Sequence, residues 1–179
     1  MIPLAKKILF LILLFLPLQL SSADQNRRTP SEDGTFTAGP FYNSATKSYF
    51  ELVRINAASW DDARNAAENR KYKKTSGRLA VINRPETHMF IVKNFLFTED
   101  TWLGLRFFCE DSKLEWADGP SHASARFSYW HAGAEHTDLS CPETGYLSTH
   151  INRNAFDWNL ATWDKRSNFS LVEYPTGHK

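Results

Sequence analysis

The chain has 179 residues, with 21 Lys and Arg against 20 Asp and Glu, a formal net charge of +1. That near-neutral balance gives no electrostatic case for nucleic acid or an anionic membrane as partner. The length suits one domain with a real core, rich in aromatics (14%), and with two cysteines a domain of this size need not depend on disulfides.

Residues 1–23 have the three-part plan of a secretory signal peptide. Lys6 and Lys7 give a basic start, Ile8 to Leu18 is almost wholly apolar, and Ser21-Ser22-Ala23 offers small residues for cleavage after Ala23. The apolar run is short of the roughly 20 residues a membrane span needs. The expectation is a secreted or periplasmic protein with no stable membrane insertion once the signal is removed. Its removal takes two lysines and no acid. Residues 24–40 are polar, with two Pro and two Gly, and read as a linker. The folded domain is expected over 41–175.

Ser48 to Val53 is a plausible first strand. Ser59 then opens a helix, with Asp62 three residues on completing a capping-box pattern. Trp60, Ala63, Ala67 and also Ala66 fall near one helical face. Leu79 to Ile82 is short, apolar and strand-like. A second helix start follows at Pro85, with Glu86 at the positive end of the helix dipole. Phe90, Ile91 and Phe95 are candidates for its buried face. TWLGLRFF (101–108) and KLEW (113–116) read as strands joined by a CEDS turn. From Gly119 to Asp157 periodicity fades, as in a long functional or wrapped loop. FDWNLATW (156–163) and NFSLVEY (168–174) read as the last two strands. All six tryptophans follow residue 59. Cys109 and Cys141 can pair with each other or with another chain, and spacing does not choose.

Taken in order, SWDDARNAAENR, GRLAVINRPETHMFI, TWLGLRF, LEWADGP, YWHAG, Cys141, DWN and FSLVEY resemble a C-type lectin-like domain. The resemblance covers roughly Tyr42 to Tyr174 and is strongest to a cysteine-poor, bacterial-type branch. It implies an α+β fold, two helices packed on small antiparallel sheets, with a long loop region on one side. Trp102, Gly104, Trp116, Gly119, Trp130 and Trp158 take structural positions in that pattern. Ala67 and Val172 stand where many members carry a disulfide, so the two should lie together. Cys141 matches half of a second bridge, but the matching partner position falls near Trp163. A bond to Cys109 is the remaining intrachain option.

In sugar-binding members the loop carries Glu-Pro-Asn or Gln-Pro-Asp, and a later Trp-Asn-Asp adds calcium ligands. Here those positions read Ala134-Glu135-His136 and Trp158-Asn159-Leu160. Calcium takes six to eight oxygens, and Ala134 and Leu160 supply none from their side chains. The family calcium site is therefore expected to be absent, and no cofactor is expected. His131, Glu135 and His136 have the spacing H-x-x-x-E-H, which matches neither zinc-protease pattern. His122 and His150 are expected on exposed loops. No GxSxG elbow is present. An enzyme using Cys141 or a loop metal is one alternative; a calcium-dependent lectin with altered ligands is another. The leading expectation is a non-enzymatic module that binds a protein or glycan through the long loop. Glu135, Asp138, Tyr146, Asn159 and Trp163 are its candidate contact residues. Asn168-Phe169-Ser170 is a glycosylation sequon that matters only in a cell that glycosylates secreted proteins.

Overall fold

A computed structural model of the chain describes residues 29–30, 36–119, 127–132 and 140–179. The strands are β1 (Thr29–Pro30), β2 (Phe36–Asn43), β3 (Ser48–Ala58), β4 (Lys71–Tyr72), β5 (Thr75–Ser76), β6 (Arg78–Leu79), β7 (Thr101–Phe108), β8 (Lys113–Trp116), β9 (Tyr146–Ile151), β10 (Trp158–Ala161) and β11 (Ser167–Tyr174). Two helices, α1 (Trp60–Asn69) and α2 (Pro85–Asn94), complete the fold. Nine strands join one sheet in the order β1-β2-β3-β11-β7-β9-β10, with β6 beside β11 and β8 beside β7. β7 and β11 run parallel; the other pairings among these strands are antiparallel. β4 and β5 form a separate hairpin.

The capping box at Ser59 is present. The Asp62 N–H donates to the Ser59 hydroxyl at 3.2 Å, and the Asp62 carboxylate accepts the Ser59 N–H at 3.2 Å. Two otherwise orphaned donors at the helix start are thereby satisfied. Trp60, Ala63 and Ala67 are buried, while Ala66 faces solvent. The Trp60 indole N–H reaches the Leu103 carbonyl at 2.6 Å, which fixes α1 against β7.

Ala67 and Val172 share one apolar cluster with Trp60, Leu79, Trp102 and Tyr174. Both close around Gly77: a Cβ there would lie 2.6 Å from the Ala67 carbonyl and 2.9 Å from Val172 Cγ1. Packing thus fills the place of the covalent link expected from the resemblance. Gly104 is needed for the same kind of reason, since its Cβ would stand 2.6 Å from the Leu79 carbonyl.

Several expected elements shift. β2 starts at Phe36 and carries the sheet into the segment read as linker. β3 continues past Val53 to Ala58. Of Leu79 to Ile82, all buried, Leu79 alone is ladder-paired, because Ala80 and its neighbours run between the sheet and α2 as core-filling coil. The buried residues of α2 are Thr87, His88 and Ile91; Phe90 is half-buried and Phe95 caps the helix. β9 lies within the stretch that showed no periodicity. His150, expected on an exposed loop, is buried in it. Among the described residues no helix is long and apolar enough to cross a membrane.

Candidate recognition surface

The two faces of the β7–β9–β10 ribbon follow from strand alternation. Leu103, Leu105, Ile151 and Trp158 pack into the larger core. Trp102 and Ala161, on the opposite side, pack with α1. Trp158 is fully buried. Trp116, Phe127 and Trp130 stand edge-on around it, with centroids at 5.7, 5.8 and 5.6 Å. The His88 ring lies 6.2 Å away. Edge-to-face contacts of this kind add to the area term because the ring quadrupoles are complementary.

The segment 127–132 lies along this platform. The Trp158 N–H donates to the Tyr129 carbonyl at 2.7 Å, and the His131 N–H donates to the Trp158 carbonyl at 2.9 Å. Trp130 thus makes a parallel bridge to Trp158, which covers part of the exposed edge of β10. The Trp130 ring is partly buried against the core. Tyr129 is about half exposed (48%) and stacks on His88 at 4.4 Å. Burial holds His88 below the ordinary histidine value, so the ring beneath Tyr129 is neutral near pH 7.

The far limb of the loop region is fixed differently. Cys109, at the end of β7, is disulfide-bonded to Cys141 with Cα atoms 6.1 Å apart. The Cys109 N–H also donates to the Gly145 carbonyl at 2.9 Å. Residues 133–139, with Glu135, His136 and Asp138, and residues 120–126, with His122, lie outside the described residues.

The remaining candidates separate. Trp163 is 57% exposed on the β10–β11 connection. Asn159 is half-buried in β10, opposite His150 of β9. Tyr146 is occupied elsewhere. Its ring lies under the Arg106 guanidinium at 3.9 Å, and its hydroxyl donates to Asp61 at 3.2 Å. Arg106 also stacks on Trp60 at 3.8 Å and pairs with Asp61 at 2.7 Å. This cation–π stack joins α1 to the sheet and removes one face of Tyr146 from any partner. Trp102, Trp116 and Trp158 are buried. The sequon asparagine is engaged at both ends: Asn168 Oδ1 accepts the Ala57 N–H, and its amide donates to Glu99, each at 2.9 Å.

Three interactions were not anticipated. His131 Nδ1 lies 2.6 Å from Asp157 Oδ2, across 26 residues of sequence. Asp100 receives Lys165 at 2.7 Å and lies 3.4 Å from His150. Each partner is an ordinary polar residue in its local context, so only the tertiary fold reveals the pair.

This architecture is the C-type lectin-like fold. No protein-family model matches the sequence, and no curated protein matches it significantly. Solved structures do match it. The mouse scavenger receptor C-type lectin carbohydrate-recognition domain is 23% identical at TM-score 0.58, covering 76% of this chain and 96% of that one. A structure described as an SPL-1–GlcNAc complex is 17% identical at TM-score 0.54, with 72% and 88% coverage. SPL-2 from Saxidomus purpuratus, described as a Ca2+-independent C-type lectin, is 16% identical at TM-score 0.52, with 82% and 97% coverage. These likenesses establish the fold.

Of the positions that the resemblance assigns to calcium, Ala134, Glu135 and His136 lie outside the described residues. Leu160 is buried and carries no side-chain oxygen. One oxygen of neighbouring Asp157 is taken by His131. Among the described residues no group of three or more His, Cys, Asp and Glu is placed to hold a metal ion.

Proposed function

We propose that this is a secreted, non-enzymatic recognition module that binds a protein or glycan through the long-loop face without calcium. The observation that carries the reading is the anchoring of that loop. One limb is bridged to Trp158 on a buried aromatic platform, and the other is bonded through Cys141 to the β7–β8 turn. A surface segment held at both ends loses less conformational freedom on binding, which favours recognition. Tyr129 supplies exposed aromatic area there, and Glu135 and Asp138 are the polar candidates. The Leu160 position supports calcium independence, because a hard cation needs several oxygens and the leucine side chain has none.

The test combines a glycan array and an affinity pull-down, each run with and without chelator, with calcium titration by calorimetry. The expected result is a captured ligand that chelator does not release and no saturable calcium heat. Glu135→Ala with Asp138→Ala should weaken capture while leaving the circular dichroism spectrum unchanged. Ligand release by chelator, together with stoichiometric calcium, would establish calcium-dependent binding with altered ligands instead.

A further inference from the structure

A second site lies away from the long-loop limbs. The start of β7, the β9–β10 turn and the β10–β11 connection enclose a shallow cleft of about 420 Å3. Its wall includes Asp100, Asn152, Arg153, Asn154, Lys165 and Arg166.

The charges in this cleft are unequally committed. Asp100 Oδ2 accepts from Lys165 at 2.7 Å and faces His150 Nε2 at 3.4 Å, while Oδ1 accepts the Arg153 N–H at 3.5 Å. The His150 hydrogen bond, then the bond and charge of Lys165, hold the Asp100 carboxyl far below the ordinary aspartate range against the opposing effect of desolvation. Asp100 therefore stays ionised and cancels Lys165. Glu99, the other acid lining the cleft, accepts from the Asn168 amide at 2.9 Å.

Two guanidinium groups remain. Arg166 uses one nitrogen on the carbonyls of Trp163 and Lys165, at 3.0 and 3.1 Å, which orients the group and leaves its other donors available, although its charge also acts on Asp62 and Asp164. The Arg153 guanidinium makes no hydrogen bond or ion pair with another described residue. Asn152 uses its side-chain oxygen on the Asn154 N–H at 2.9 Å, keeping its NH2 as a donor. The cleft thus offers mainly donors, two of them planar forks that match a carboxylate or sulfate.

The geometry points to a binding site for an anionic saccharide, its carboxylate or sulfate held by Arg153 and Arg166 and its hydroxyls by the neighbouring amides. This site uses neither Tyr129, Glu135 nor Asp138 of the function proposed above and stands independently of it.

The test is calorimetric titration of the full chain at about 0.15 M salt, where nonspecific surface attraction is largely screened. The probes are a uronate-containing disaccharide, a sulfated disaccharide and a neutral disaccharide of the same size. At least one charged probe should bind saturably and the neutral one should not; whichever charged probe is tighter identifies the oxyanion. Arg153→Ala with Arg166→Ala should weaken that binding by roughly tenfold or more. Arg153→Lys with Arg166→Lys, which keeps the charge but loses the forks, should also weaken it. Glu135→Ala with Asp138→Ala should leave it unchanged, so this site and the long-loop reading can fail separately. The proposal is overturned if neither charged saccharide binds, if both arginine variants bind as well as the parent chain, or if an acidic peptide binds where the saccharides do not.

Discussion

Trp158 is the ring around which the described part of the long-loop face packs. It has no exposed surface and touches the rings of Trp116, Phe127 and Trp130. Trp158→Ala should cost about 3–5 kcal/mol, the range for removing a large aromatic from a packed core. Trp130→Ala should cost less, because part of that ring stays in solvent. Urea denaturation of the two variants checks the order; equal losses would contradict it. At this scale the sequence was informative for the apolar residues: Trp102, Trp116 and Trp158 are buried where their pattern placed them. It was uninformative for polar partners. His131 and Asp157 are neighbours only because Trp130 and His131 bridge to Trp158, the residue after Asp157, and nothing in either local context encodes that distance.

Among the elements, α1 was the most legible. A capping box and a three-residue buried face are local properties, written within ten consecutive residues. Ser59→Ala should lower stability by about 1 kcal/mol, measured by thermal or urea unfolding, since one N–H loses its acceptor. Ser59→Asp should retain most of it. β9 was illegible for the opposite reason. Its sequence, Tyr146–Ile151, is buried almost throughout, with Ser148, Thr149 and His150 among the buried residues. A strand covered on both faces has no alternation to detect, and its polar residues disguised the burial. α2 misled in part because its inward face includes Thr87 and His88 rather than an all-apolar stripe.

For the molecule as a whole, polar side chains link distant parts of the chain. Arg70, Glu51 and Tyr174 join the end of α1 to β3 and β11. Asp100 joins the start of β7 to the β10–β11 connection through Lys165. The folded Asp100 carboxyl lies below its ordinary value of 3.8. The unfolded chain therefore takes up this proton first as pH falls. The stabilisation is complete above 3.8 and is lost as pH drops towards the folded value. Asp100→Asn should be less stable near pH 7 and should show a shallower acid limb, followed by tryptophan fluorescence. Identical limbs for the two proteins would exclude this link. The fold class was legible because order and spacing of many weak motifs add up, whereas the cleft around Asp100 is assembled from separate connections with no shared motif.

The Cys109–Cys141 bond also gives the chain a covalent ring enclosing β8 and the loop region as far as Cys141. A protease that nicks the backbone once between these cysteines cannot release a fragment. On a non-reducing gel the nicked protein keeps its full mass, and after reduction it parts into two pieces. Severing the loop is therefore not the same as losing it: both cut ends stay tethered beside the surface they came from. A single nick outside the ring would separate into two pieces without reductant, so the pair of gels also reports where the cut fell.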